Sequence, residues 1–389
     1  MKSLKGLALK NKRVFLRLDL NVSLQNGKIL DDYRIQNALP TIEYILKKGA
    51  KQIILASHLG RPKGHDMKYS LAPVAERLAK LLERPIYLHN DVTKPIEIPE
   101  PIVLLENLRF WEEEKKGSIS FAKKLAQHAD VYVDDAFGTA HRKDASVYAL
   151  AKLLPGAPGL LIEKELKNVH LNHKKPIVAI FGPAKISDKI IFLEKLLQRV
   201  DKLVLGGAVV FTFLGAMGIP TGKSLIEPEM FGQAKKLMKK YGDKIIFPTD
   251  FVVASPSALK KFGKLSVAER KKLVSVVDFE AILKSKAAYD VGPKSVKLFS
   301  AVIARAKTVV WNGPLGLYEI KPYDKSTNAI TKFIAEKKIT AIICGGDTAD
   351  AIRRTPYTKA MTHISTGGGS SLKLLSGEKL PAIEVFKKK

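Results

Sequence analysis

Residues 177–190 read IVAIFGPAKISDKI, and the parsing of this stretch decides the fold. Its first five residues are apolar without alternation, the pattern of a strand buried on both faces. Gly182 and Pro183 then break the run. Beyond the break, Ser187 is placed to cap a helix over 187–200 whose apolar face is Ile190, Ile191, Leu193, Leu196 and Leu197. Lys185 and Lys189 lie four apart and share a face if that first turn is helical. A strand, a glycine turn and a helix start bearing lysines suit a phosphate, because the helix N-terminus offers unpaired N–H groups and the ammonium groups add charge. An ordinary βα turn with two solvated lysines has the same spacing, so the rest of the chain must decide.

Outward from this stretch, apolar runs alternate with amphipathic ones. Before it, strands are predicted at 14–18, 52–56, 102–105 and 131–133, and helices at 34–47, 71–82, 119–127 and 146–154. Pro155, Gly156, Pro158 and Gly159 then punctuate the chain, and 160–171 reads as a linker helix. After it, strands are predicted at 202–205, 244–247, 308–311, 340–344 and 363–365. Helices follow at 228–241, 293–306, 326–336, 348–354 and 370–375. Residues 254–285 show no clear period and are expected to be irregular. Repeated βα units predict parallel sheets covered on both faces. The expected architecture is therefore α/β: two doubly wound, Rossmann-like parallel-sheet domains at 1–154 and 173–372, joined by a hinge helix at 155–172.

Composition agrees with this. At 389 residues the chain is long for one core, and 46% hydrophobic content suits well-cored domains. A net charge of +28 favours anionic partners such as phosphorylated metabolites, nucleic acid or acidic lipid. The lysines are spread over all helices and aromatics make up only 7%, which argues for a solvated basic surface and against a specific nucleic-acid reading face. The single cysteine, Cys344, allows no internal disulfide and fits a reducing compartment. The N-terminal residues interleave lysine with the apolar positions, so no signal peptide is read and a cytoplasmic protein is expected. Residues 203–222 carry no charge and are long enough to span a bilayer, but six glycines and prolines divide them. A buried strand, a turn and a buried helix are expected there, with no membrane span.

In open parallel sheets, ligands bind beyond the carboxyl ends of the strands. In the first half those ends carry DLNVS, SHLGRPKG, ENLRFWEEE and DDAFGTAHR. They bring Asp19, Asn21, His58, Arg61, Asn107, Arg109, His141 and Arg142, with Arg34 just after the first loop. Arginine's planar fork suits carboxylate and phosphate, so a converging anion site is expected. In the second half the ends carry FGPAK, LGGA, WNGPLG, CGGDTA and STGGGSS. Glycine there lets a ligand approach the backbone and its amides. Gly367–Gly369 precede an apolar helix and can turn amides to a phosphate. Asp347 can hold Mg²⁺ or cap the helix after it; spacing alone leaves both open. GIPTGKS at 218–224 is a residue short of a Walker A loop, with Met217 where the first glycine belongs. DAFG lacks the other motifs of a protein kinase. The eight histidines show no zinc spacing, and Cys344 reads as core. An arginine-rich half and a glycine-rich half across a hinge form the layout of a bisubstrate phosphotransferase.

These motifs together resemble the phosphoglycerate kinase family, in order and over essentially the whole chain. RLDLNVSLQNGKILDDYRI, SHLGRPKG, LLENLRF, VDDAFGTAHR, AKISDKI, GGAVVFTFL, DVGPKS, VVWNGPLGLYE, GGDTA and HISTGGGSSL carry the resemblance. It implies reversible phosphoryl transfer between 1,3-bisphosphoglycerate and ADP, giving 3-phosphoglycerate and ATP, with Mg²⁺. It also implies a cytoplasmic, monomeric enzyme that binds small molecules. By the same resemblance Asp19, Asn21, Arg34, His58, Arg61, Arg109 and Arg142 would hold the glycerate substrate, and Arg34 would reach the transferring group. Lys185 would bridge the phosphates, and Lys189 would bind those of the nucleotide. Ala184, Ala208, Ala288, Asn312, Pro314, Gly316, Leu317 and Glu319 would line the nucleoside pocket. Gly346, Asp347 and Thr348 would serve phosphate and metal, and the Gly368 and Gly369 amides the migrating phosphoryl group. The tail, 373–389, would pack back on the first domain. The chain departs from the family at Pro183, Ala208, Ala288 and Tyr289, where GGAK, a third glycine and Gly-Leu are usual, and at Lys373, which replaces a glutamate. A catalytically impaired homologue and a basic polyanion-binding protein are the alternative readings.

Overall fold

A computed structural model of the chain describes residues 3–187 and 189–387; expectations that touch residues 1–2, Asp188 or 388–389 lie outside them. The chain forms two compact units. One runs to Asn168 and resumes at Gly377; the other is Val169–Ser376.

The first unit holds a six-stranded parallel sheet. Its spatial order is Tyr87–His89, Ile102–Leu105, Gln52–Ala56, Arg13–Leu18, Val131–Asp135, Gly156–Pro158. The central strands are buried along their whole length, as unbroken apolar runs require when helices cover both faces. The Tyr33–Lys47 and Ala72–Leu82 helices cover one face, and Ile119–Ala126 and Leu150–Leu153 the other. The C-terminal helix, Pro381–Lys387, belongs here too. The Ala382 amide donates to the Ala140 carbonyl, and Phe386 stacks on Tyr132 inside the second of these cores.

The second unit's main sheet is also parallel. Its order is Ile245–Ile246, Lys202–Leu205, Ile177–Phe181, Thr308–Asn312, Thr340–Cys344, His363–Ile364. Numbered along this unit, that is 3-2-1-4-5-6, the doubly wound order whose crevice opens between strands 1 and 4. The crevice therefore lies beyond Phe181 and Asn312, where Gly182 and Gly313 stand. Among the described residues no helix is long and apolar enough to cross a membrane; the uncharged 203–222 stretch contains the short buried helix Val209–Ala216.

Several expectations need correction. The helix predicted over 187–200 spans Ile190–Arg199, with Lys189 at its N-cap position. The Ser187 hydroxyl is taken by Glu227 and caps nothing, so Lys185 lies off the helix and shares no helical face with Lys189. Residues 254–285 are ordered. The strands Asp250–Ala254, Ser275–Asp278 and Ala287–Val291 form an antiparallel sheet beside the helices Pro256–Lys261 and Val267–Lys272. Those helices have six residues each, too few to reveal a period, although Ser266 and Glu269 form a legible capping box. Gly156–Pro158 is an edge strand, not only punctuation; proline is admitted because an edge strand has a side without a partner. The helix predicted over 146–154 is a π-turn at Ala145–Ala149 followed by Leu150–Leu153. The predicted linker helix ends at Asn168 and counts with the first unit.

Candidate active site

In the first unit the predicted anion-binding residues gather around a cation that the sequence reading passed over. Arg17 sits in the Arg13–Leu18 strand and is wholly buried. Its Nε donates to Ser146 Oγ at 2.8 Å, Nη1 donates to the Leu18 carbonyl, and Nη2 lies 4.0 Å from Glu114. Nη2 also donates to His58 Nδ1 at 3.3 Å. A guanidinium has no lone pair to offer, so Nδ1 is the acceptor and a neutral His58 carries its proton on Nε2. Burial, reinforced by the surrounding arginines, holds the imidazole well below its ordinary pKa and keeps it neutral. Asp19 ion-pairs with Arg34, at the start of the Tyr33–Lys47 helix. Burial alone would raise the Asp19 carboxyl, but Arg34 and Arg17 outweigh it and hold the pKa below its ordinary value.

Arg109 donates from Nη1 to the Gly60 carbonyl at 2.7 Å, and the Gly60 amide donates to Asn21 Oδ1 at 2.8 Å. Asn107 braces the same turn and has no capacity left over. Its amide group donates to the Leu59 and Tyr69 carbonyls, and its oxygen accepts from the Leu59 and Arg109 amides. Arg109 is electrostatically unsatisfied. Burial, Arg142 and Arg17 push its guanidinium down to about 10, and its buried Nε has no partner among the described residues. Arg142 grips both oxygens of Asp144, at 2.9 and 3.1 Å. Arg61 is exposed and makes no hydrogen bond or ion pair among the described residues. At the end of the Val131–Asp135 strand, burial pushes the carboxyls of Asp134 and Asp135 up to about 7.

The second unit has a cavity of about 960 Å³ in the crevice, and the residues expected on the nucleotide side, Gly367 excepted, line it: Ala184, Lys185, Lys189, Ala208, Ala288, Asn312, Pro314, Gly316, Leu317, Glu319, Gly346, Asp347, Thr348, Gly368 and Gly369. Close packing of bare backbone makes the crevice. A Cβ on Gly207 would lie 2.1 Å from the Gly182 carbonyl oxygen, and one on Gly313 would lie 2.2 Å from the Gly182 carbonyl carbon. Both glycines also have positive φ, at 61° and 89°. The Thr348 hydroxyl accepts from the Gly313 amide at 2.7 Å and donates to the Cys344 carbonyl at 2.9 Å, joining two strand ends. Asn312 donates to that same carbonyl, while its buried Oδ1 has no partner among the described residues. Asp347 is exposed in the first turn of the Gly346–Arg353 helix, and Gly345 takes the N-cap position, so Asp347 is not the cap. Among the described residues no group of three or more His, Cys, Asp or Glu is gathered for a metal. One exposed carboxylate at the wall of a glycine-lined cavity still fits Mg²⁺, which usually keeps waters and would take further ligands from a bound phosphate.

The arginine cluster, the glycine crevice and the two doubly wound sheets define, as a class, an α/β protein built to hold anions at strand ends. Residues 4–378 match the sequence model of the family described as phosphoglycerate kinase. A phosphoglycerate kinase of Solibacter usitatus is 44% identical over 396 residues, covering 98% of each chain. A cytosolic phosphoglycerate kinase of Nicotiana tabacum is 45% identical over 399 residues, covering 98% of this chain and 96% of that one. The structure of phosphoglycerate kinase from Coxiella burnetii superposes with a TM-score of 0.85 at 37% identity, covering 100% of this chain and 99% of that one. The chain belongs to the phosphoglycerate kinase family. That family comprises kinases that use ATP or ADP as co-substrate, and membership disfavours the impaired-homologue and polyanion-binding alternatives.

Proposed function

We propose that this chain catalyses reversible phosphoryl transfer between 1,3-bisphosphoglycerate and MgADP, giving 3-phosphoglycerate and MgATP. The observation that carries the reading is Arg109. A buried guanidinium repelled by two others, with a donor left over, is relieved by a polyanionic guest. The glycerate substrate, with its carboxyl and phosphate groups, is such a guest. Asp19, Asn21, Arg34, His58, Arg61, Arg109 and Arg142 are its proposed ligands. His58 serves as a neutral donor through Nε2, and Asp19 holds Arg34 ready for the transferring group. Lys185 and Lys189 meet the nucleotide phosphates. The amides of Gly368 and Gly369 stabilise charge on the phosphoryl group, and Glu319 faces the ribose. Asp347 holds Mg²⁺, which when bound neutralises phosphate charge. The first unit is then the glycerate domain and the second the nucleotide domain, with hinges where the chain leaves the first unit after Asn168 and returns to it at Gly377. A cytoplasmic monomer without a specific nucleic-acid partner completes the proposal.

A coupled assay for ATP-dependent phosphorylation of 3-phosphoglycerate tests it. Turnover that requires both substrates and Mg²⁺ is expected, and its absence in folded protein overturns the reading.

A further inference from the structure

The loop that carries Lys185 and Lys189 is held by a carboxylate outside the cavity. Glu227 Oε2 accepts from the Ile186 amide at 2.6 Å and from the Ser187 amide at 3.2 Å. Its Oε1 accepts from the Ser187 hydroxyl. The Glu227 amide in turn donates at 3.1 Å to Thr212 Oγ1, on the buried Val209–Ala216 helix. The Val209 amide, at the start of that helix, donates to the Pro183 carbonyl at 3.0 Å. The loop between the Ile177–Phe181 strand and the Ile190–Arg199 helix is therefore fastened to the Val209–Ala216 helix at two points. Glu227 is buried, and it is absent from the cavity wall although Ser224, Leu225 and Ile226 are part of it.

This arrangement has an energetic reason. A carboxylate withdrawn from water costs several kcal/mol unless donors replace the solvent. Here two backbone amides and a hydroxyl do so, and each is on the lysine-bearing loop. Without the carboxylate, the Ile186 and Ser187 amides would lose their acceptor, and the loop would be free to seek others. Lys185 precedes and Lys189 follows the fastened Ile186–Ser187 pair, and both line the cavity.

We propose that Glu227 is a positioning residue for the nucleotide phosphates: it touches no substrate, but it fixes the backbone from which Lys185 and Lys189 reach. The inference rests on the nucleotide role proposed above for those lysines. It predicts an effect confined to the nucleotide side, because nothing in the arginine cluster of the first unit depends on this carboxylate.

The test compares Glu227→Ala, Glu227→Gln and Ser187→Ala with the unmodified chain by steady-state kinetics, ATP titration calorimetry and amide hydrogen exchange. Glu227→Gln keeps the volume and one acceptor oxygen, so it reads the role even where the alanine variant fails to fold. Glu227→Ala is expected to raise the KM and Kd for ATP tenfold or more, with the KM for 3-phosphoglycerate within twofold. Glu227→Gln should fall between Glu227→Ala and wild type, and Ser187→Ala should cost threefold or less. Exchange at Ile186 and Ser187 should accelerate in both Glu227 variants. An ATP KM and Kd within twofold of wild type in both Glu227 variants would overturn the proposal, as would equal losses for both substrates. If the unmodified chain shows no kinase activity, the functional reading falls by itself. ATP calorimetry and exchange still judge Glu227: accelerated exchange with weakened ATP binding supports it, and unchanged values overturn it.

Discussion

The carboxyl ends of the two six-stranded sheets are made of opposite materials. In the first unit long side chains do the work, and their charges are set by one another: Arg17 orients His58, Arg34 pairs with Asp19, and Arg109 stands against two other guanidinium groups. In the second unit the strand ends are bare. Gly182, Gly207 and Gly313 cross within the reach of a methyl group, and the Thr348 hydroxyl joins two of the loops. The first design places its chemistry in replaceable side chains. The second places it in the backbone, so there the ligand site and the fold are one object. Substitutions should therefore separate function from stability at the first site and not at the glycines of the second.

The largest effect expected is on rate. Phosphoryl transfer is mainly positioning and charge stabilisation, and one well-aimed cation contributes roughly 10³–10⁵-fold. Arg34→Ala and Lys185→Ala should each lower kcat by about two orders of magnitude or more. Turnover within threefold of wild type for either would remove that residue from the site.

The contrast itself is tested next. Gly207→Ala and Gly313→Ala should each destabilise the second unit by ~1–3 kcal/mol, through positive φ and direct overlap, and weaken nucleotide binding as well. Arg109→Ala should leave unfolding free energy unchanged or raised, because a self-repelling buried cation is gone, while the KM for 3-phosphoglycerate climbs. Urea titrations showing equal losses for the two kinds of variant would erase the distinction.

A finer probe is the cavity wall at Ala208 and Ala288, where each methyl group would take room from the flat base of a nucleotide bound as proposed. Restoring both with Ala208→Gly and Ala288→Gly should tighten ATP binding by about 1 kcal/mol and sharpen the ATP-over-GTP preference. Calorimetric constants that move less than about twofold would mean that the wall has already shifted to absorb both methyls.

The smallest effect is a pH dependence in the first unit. Burial raises the carboxyls of Asp134 and Asp135 to about 7, against 3.8 for the free group. The folded state thus keeps protons that the unfolded chain has lost, and stability falls as pH rises from about 4 to 7. Between pH 6 and 8 each of these carboxyls should cost on the order of 1 kcal/mol, and Asp134→Asn should be spared that much of the wild-type loss. Identical slopes in denaturant titrations across that window would show that Asp134 is ionised in the fold.

The apolar runs were the most legible part of the sequence. Gln52–Ala56, Ile102–Leu105, Ile177–Phe181, Lys202–Leu205 and Thr340–Cys344 are strands at the bounds read from sequence, because burial on both faces beyond the first residue leaves little but apolar composition. The residues lining the crevice were legible for a related reason, since strand ends and glycines mark it. Arg17 was hidden by its apolar neighbours; a charge in the middle of a buried strand was the available signal. Glu227 offered none, because it acts on a loop about forty residues earlier and no local period joins them. The antiparallel sheet around 250–291 was missed because its edge strand, Ser275–Asp278, is largely exposed and carries no apolar run.

The Pro381–Lys387 helix has a consequence for the order of synthesis. A ribosome releases residues in sequence, so the first unit emerges without Val385 and Phe386, and the face of Tyr132 that Phe386 covers is bare. That gap persists until Val169–Ser376 has been made, by which time the second unit holds all of its own strands. The unit translated first is thus the last to be sealed. A released chain truncated before residue 381 would present a second unit with all of its strands and an unsealed first unit, which a protease could tell apart by cutting only the latter.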